Sequence, residues 1–545
     1  GEFAEAETLL REIAEADPDD TDLALNVVQF ILSTRGSEGA REELKHLIET
    51  SVDIWPFQAA LAALDYSEGR IDDAKALLAG VIEEEKTSTS ANAARVQLAR
   101  IEIAEGDLDR GALLVDEVIE LDETHVAALA LRAALEIEER RYDDAALTAR
   151  QALAEDPRAV NLLLLAARAY ELNGNTSLAS EQLGLATRVS DYAPQVALRY
   201  VRFLRANNQL DDAETVLDET AQRAPRNLEV LRQLAEVRLS LEDWAGAEEI
   251  AQTLRRFEGT EETATRIQAA SLTGQQRFGE SVTLLQGLAS GEATRDNGAV
   301  SQLVDTWIRA GDLDAAREFL GRVLEENPEN HEALLLTARV QLVADDEAGA
   351  IETLERVIEL YPGHPSAHIA RAQIAMRKSN ARGLEIINRG MEMTDGRPDL
   401  RLMRATIYER EGRIDEAIAE YEILYDDLPE SMVVANNLAS LISEYYPDDV
   451  KKLARARNIA RRLRSSEIPH MQDTYGWTLY LNGEFEAALR SLKPAAEALP
   501  DNPLVIYHLG MTYASLDETD LALEKLGRVV EMTEGEDFPH METLQ

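Results

Sequence analysis

The chain has 545 residues, no cysteine and a formal net charge of −47. Without cysteine there are no disulfides and no thiolate metal sites, and the redox compartment cannot be read; the excess of acid argues against nucleic acid or an anionic membrane as the main partner. An apolar fraction of 45%, with 29 Gly and 16 Pro, is that of a folded chain rather than a disordered one.

The chain opens on Gly1-Glu2-Phe3-Ala4-Glu5-Ala6, which matches Gly483-Glu484-Phe485-Glu486-Ala487-Ala488 inside a late repeat. The match predicts a start between two helices, so the chain is expected to be a fragment of a longer protein. From there a small residue returns about every 34 positions: Ala6, Ala40, Ala74, Gly111, Ala145, Ala179, Ala213, Ala247, Ser281, Ala316, Ala350, Gly383, Ala417, then Ala488 and Ala522. A turn residue precedes each by five, apolar residues follow at four and seven, and Pro often follows at twelve. Gly311, Ala316, Leu320, Val323 and Pro328 show the whole pattern. Twelve residues earlier a second small residue recurs, as at Ala62, Ala99, Ala133, Ala167, Ala235, Ala338, Ala405, Gly476 and Gly510. Small residues at both places let helix backbones approach closely. Gly69, Gly106, Gly174, Asn208, Gly311, Gly412 and Gly483 suit a tight helix–helix turn. Pro18, Pro157, Pro225, Pro328, Pro362, Pro429 and Pro500 end second helices. The period and its grammar predict stacked helix–turn–helix repeats.

The expected organisation is an array over 1–444 that begins mid-repeat and holds about 13 repeats. An irregular, lengthened repeat with a basic helix follows at 445–469, its second helix expected to be lengthened around Ala454 or Ala456, then further repeats at 470–534, then a tail or truncated capping helix at 535–545. Three extra residues are expected near Thr87–Ala91, and degenerate repeats near 257–298 and 377–398.

This pattern resembles the tetratricopeptide repeat family over essentially the whole chain. The resemblance implies an all-α solenoid, a right-handed superhelix of antiparallel helix pairs, whose first helices line a concave face and whose function is to hold protein partners. Asn436-Asn437-Leu438-Ala439, Asp473-Thr474-Tyr475-Gly476-Trp477, Tyr507-His508-Leu509-Gly510 and the Phe-Pro tail look like the end of large bacterial tetratricopeptide lipoproteins of exosortase and exopolysaccharide systems. That narrower likeness implies a scaffold in the bacterial cell envelope or periplasm, with the cytoplasm as the alternative. The excess of Arg over Lys, 47 against 8, is compatible with a GC-rich bacterial genome.

No catalytic constellation emerges: there is no phosphate-binding glycine loop and no nucleophile elbow. His364 and His368 have metal-like spacing, but Pro365 intervenes and no carboxylate cluster stands beside them. No cofactor, metal or catalytic residue is expected.

Helical periodicity turns the places three before and one or four after the first-helix small residue toward the groove. Between the fourth and tenth repeats these hold Arg168, Arg202, Arg205, Arg232, Arg266 and Arg339. Such a file either grips an acidic partner segment or peptide through charge-assisted contacts, or pairs with acids of neighbouring helices such as Glu171 and Glu236. In the last repeats the same places hold Asn436, Asp473, Trp477, Tyr480, Tyr507 and Met511. These form either an aromatic binding patch or ordinary core. Lys451, Lys452, Arg455, Arg457, Arg461, Arg462 and Arg464 make a basic amphipathic helix. It either touches anionic lipid or an acidic partner, or solvates and pairs its charges; membrane contact is otherwise expected only through an anchor in the missing part. The expectation is a scaffold or adaptor. Two alternatives stand beside it: a regulatory or substrate-recruiting arm of a larger enzyme, and a carbohydrate-binding solenoid.

Overall fold

A computed structural model of the chain describes residues 2–289 and 297–533. The described residues form thirty α-helices and no strand. The tail expected at 535–545 lies outside them, as do residues 290–296.

The helices alternate as predicted. Trp55–Ser67 pairs with Ile71–Glu85, Thr89–Ala104 with Leu108–Leu121, and so on to Pro503–Ser515 with Thr519–Met532. One pair has no separate turn: within 21–50 two helices meet at a kink, where Gly36 leaves helical geometry at φ 79°. The predicted small residues are the sealed contact between the helices of a pair. Ala40, Ala74, Ala145, Ala179, Ala213, Ala247, Ser281, Ala316, Ala350, Ala417 and Ala488 are wholly buried, as are Ala62, Ala99, Ala133, Ala167, Ala235 and Ala405 on the partner helices. At Gly476 even one more carbon would lie 2.5 Å from Leu492 Cγ and 3.3 Å from the Ala488 carbonyl oxygen.

Most turns within a pair close in one way, the turn at 377–379 being an exception. The last residue of the turn donates its N–H to a carbonyl five residues back: Arg141 to Glu136 at 2.8 Å, Asp243 to Arg238 at 2.9 Å, Asp312 to Trp307 at 2.9 Å. This geometry needs a left-handed residue just before the donor. Gly311 supplies it at φ 75° and Asn208 at 58°, but Arg140, Glu242, Gln276, Asp345 and Asp517 supply it too, at φ between 58° and 61°. The three extra residues near Thr87–Ala91 make a different turn, between repeats, in which the Ser88 N–H donates to the Glu85 carbonyl at 3.2 Å. Lys86 sits at φ 46°, and Ser88 Oγ accepts from the Ala91 N–H at 2.9 Å to cap the next helix.

The stretch 445–469 differs from expectation. Its second helix is shorter, not longer: Val450–Ala460, followed by a 3-10 turn at Arg461–Leu463. Ala456 is the small residue packed inside, whereas Ala454 is exposed. The helix stops where Arg462 is drawn into the interior with its guanidinium 5.1 Å from the Tyr425 ring and Leu463 is fully buried. Ser466 Oγ then accepts from the Ile468 N–H at 3.2 Å, and Pro469 begins the next helix.

The chain divides into two compact units, Gly1–Tyr170 and Glu171–Gln545. The spacing does not predict this boundary, because the repeat grammar crosses it unchanged. In the first unit a buried ion pair ties two repeats: Arg41 meets Asp65, which also accepts from Arg70 Nε at 3.1 Å. In the second unit, distant segments touch. The turn at Asn173 and Gly174 lies against the 3-10 segment, with Arg464 Nη2 and Ser465 Oγ each donating to its carbonyls at 3.4 Å. A side chain at Gly174 would collide with the Arg461 carbonyl and the Arg462 backbone, a contact that no other turn glycine makes.

Candidate interaction faces

Stacking hides one face of every first helix in the core and leaves another to carry polar groups. In the first unit, the first helices Trp55–Ser67, Thr89–Ala104 and Val126–Glu138 enclose a groove of about 450 Å³. Tyr66, Val96 and Ile101 give it an apolar floor, and Gln97, Arg100 and His125 give it polar edges. Arg100 is exposed and has no partner among the described residues. This groove lies outside the Arg file and the C-terminal places that the repeat spacing singles out. Its only local signal is Arg100 itself, which stands one residue after the small residue Ala99.

In the second unit the Arg file is largely an internal ladder. Glu236 gathers two of its members, accepting from Arg232 Nη1 at 2.6 Å and Arg205 Nη1 at 3.3 Å. Arg232 also holds Glu229 at 2.6 Å, and Arg205 reaches Gln233. These contacts hold the Glu229 carboxyl below the usual carboxylate range, chiefly through the hydrogen bond from Arg232. Arg339 meets Asp305 on the preceding first helix, and Arg199 meets Glu171 in the same manner. Arg266 lies against Gly298, where a larger residue would strike its guanidinium; Arg168, the member of the file in the first unit, is half-buried and engaged. Arg202 is the exposed member with no partner among the described residues.

The C-terminal residues come together, but inward. Trp477 is 7% exposed and sandwiched between Tyr480 at 4.6 Å and His508 at 4.1 Å, with Tyr507 tilted at 6.0 Å. Asp473 is buried and lies 2.9 Å from His508 Nδ1. Trp477 and Tyr507 therefore fill the interface between Pro469–Leu481 and Pro503–Ser515 and offer no open stacking platform. The reason is helix geometry: Gly476 turns toward Leu492 on the paired helix, and Trp477, one residue on, turns toward His508 on the next first helix. Tyr480 and Met511 remain half-exposed. Asn436 is separate. It donates to Asn437 at 3.2 Å, and Asn437 donates to the buried Tyr421 hydroxyl at 3.0 Å. That hydroxyl donates to Glu409 at 2.5 Å, whose carboxyl is nonetheless pushed up, mainly by burial.

The basic helix spends much of its charge locally. Arg455 pairs with Glu422 at 2.7 Å, Arg457 with Glu484 at 2.6 Å, and Lys452 stands over the Tyr446 ring. His368 is fully buried with its Nε2 2.7 Å from the Pro362 carbonyl, and His364 stands just before the helix Pro365–Met376 without a side-chain capping bond. Among the described residues no group of His, Asp or Glu is arranged to hold a metal ion, and no helix is long and apolar enough to cross a membrane.

Residues 308–374 match the tetratricopeptide repeat model. The fold as a whole is an all-α solenoid of that kind. Among solved structures, the Naa15/Naa10 complex bound to HypK-THB is 13% identical, with 93% of this chain and 99% of that chain covered and a TM-score of 0.35. The anaphase-promoting complex heterotetramer Cut9-Hcn1 is 13% identical, with 92% and 97% covered and a TM-score of 0.36. No curated protein is found to match the chain.

Proposed function

We propose that this chain is a protein-interaction scaffold that holds its partners along the faces formed by its first helices. One observation carries the reading. At the places three before and one or four after the small residue, these faces carry polar side chains that mostly satisfy one another, yet among the described residues they leave Arg100 and Arg202 unspent and exposed in a chain of charge −47. Arg100 edges an apolar groove, so the first unit suits a segment with aliphatic and acidic residues together. Arg202 suits an acidic stretch of a partner. Long-range repulsion by the acidic body keeps weakly matched acidic proteins away, so local cations select for register as well as for charge. Carboxyl-directed and amine-directed cross-linking of the full chain with its captured partner, read by mass spectrometry, tests this. Cross-links confined to first-helix residues support the reading, and cross-links confined to second helices contradict it.

The phrases at Asn436–Ala439, Asp473–Trp477 and Tyr507–Gly510 support a finer proposal. The scaffold would work in a bacterial cell envelope, in assembly or polysaccharide export. Fractionation of the source cells decides it: recovery in the cytosol alone would remove that setting.

A further inference from the structure

The contact between the Gly174 turn and the segment Arg461–Ser465 leaves a cavity beside it, about 380 Å³ in volume. Its walls come from segments far apart in sequence: residues 176–180, 206–209, 432 and 465–469, all within the second unit. A space assembled in this way is not one repeat's groove. It exists only where the 3-10 segment meets the early turn.

The chemistry of the lining is selective. No lysine or arginine faces it, so it offers no side-chain charge to an anion. Its polar groups are neutral hydroxyls and amides, with one carboxylate, Glu467. Several of them are unspent. The side chains of Thr176, Ser177, Asn208, Gln209 and Glu467 make no hydrogen bond or ion pair among the described residues. Hydroxyls and amides each donate and accept, and a carboxylate accepts from two donors at once. Met432, Ile468 and Pro469 add a small apolar wall. A molecule that fits carries several neighbouring hydroxyls on one edge and C–H groups on the other, and no net charge. The volume is at the lower end of small-ligand sites.

We propose that this cavity binds a neutral saccharide, with Asn208, Gln209 and Glu467 taking its ring hydroxyls and Ile468 and Pro469 covering its apolar face. The site is independent of the partner-binding faces, since neither Arg100 nor Arg202 lines it. Saturation-transfer NMR on the full chain tests it with glucose, galactose, mannose, maltose, lactose and diacetylchitobiose, one at a time. At least one of these sugars receives saturation. The double substitution Gln209→Ala with Glu467→Ala, both at exposed positions, weakens its binding at least tenfold, while Arg202→Glu leaves it unchanged. Gly174→Ala parts the two walls and produces the same loss by a different route. A silent panel overturns the proposal. So does binding that survives both variants, or displacement of the sugar by inorganic phosphate, which would make this an anion site.

Discussion

The close approach at Gly476 gives a prediction whose sign is set by sterics against two favourable terms. Replacing Gly by Ala inside a helix gains about 1 kcal/mol of helix propensity, and burying one more methyl gains about 0.8 kcal/mol. At Gly476, however, the new carbon would lie 2.5 Å from Leu492 Cγ and 2.9 Å from its Cδ2, against a comfortable 3.5–4.0 Å. Leu492 is wholly buried and its Cγ is a branch point, so it cannot swing aside, and the Ala488 carbonyl at 3.3 Å is backbone. Overpacking of this kind costs roughly 1–3 kcal/mol. With the methyl held out of good contact, the burial gain is lost, and the net effect is a destabilisation of up to about 2 kcal/mol. Gly321 is the control. It lies on the exposed side of the helix Leu313–Glu326 with nothing within 4 Å, so Gly321→Ala stabilises by about 1 kcal/mol. A solenoid of this length does not unfold in two states, so the assay is local: hydrogen exchange by mass spectrometry on peptides spanning each substituted helix. Slower exchange around residue 476 in Gly476→Ala would refute the register and the packing argument together.

Turn chemistry gives a second pair. Gln276→Gly relieves a left-handed residue and slows local exchange by about 1–2 kcal/mol, whereas Gly311→Ala speeds it by a similar amount; equal responses would mean that φ is not what the turns select. Asp65→Ala strands the buried Arg41 and destabilises its repeats by about 3–5 kcal/mol, measured by the same exchange on peptides 55–85. The His364 imidazole is held below its ordinary pKa, first by burial, then by His331, with His368 and Arg397 adding to the effect. A folded-state pKa below the unfolded one means that the unfolded chain binds the proton first. Stability there is therefore full above about pH 6.5 and falls as the pH drops below it. Exchange of residues 361–376, corrected for intrinsic rate, rises between pH 7.5 and 5.5, and His364→Gln flattens the rise; a flat wild-type profile contradicts this.

What the sequence shows and hides follows from distance along the chain. A 34-residue period fixes contacts between neighbours, so the small residues at Ala316 or Ala405 announced their own burial and Gly69 or Gly412 their own turns. Arg140, Glu242 and Gln276 adopt the same left-handed turn without glycine, because the bond five residues back enforces it on whatever side chain is present. The lengthened helix expected near Ala456 ends early because Arg462 and Leu463 turn into a core that includes Tyr425, a tertiary preference invisible in local spacing. The period puts Trp477 and Tyr507 on successive first helices, and only the packing around His508 shows that they turn inward and face each other. The cavity beside Gly174 had no signal at all, since its walls lie more than 200 residues apart.

The most direct test of the central claim is quantitative capture of partners from lysate of the source cells, with three forms of the full chain. The first is unaltered, and the second carries Arg100→Glu and Arg202→Glu. The third carries the same charge change on exposed second-helix residues, Arg110→Glu and Arg150→Glu. The account predicts a partner retained by the first and third forms, lost by the second, and released from the first as salt screens the exposed contacts. A partner lost equally from the second and third forms would mean that bulk charge drives capture, and a partner held equally by all three would place binding away from the first-helix faces.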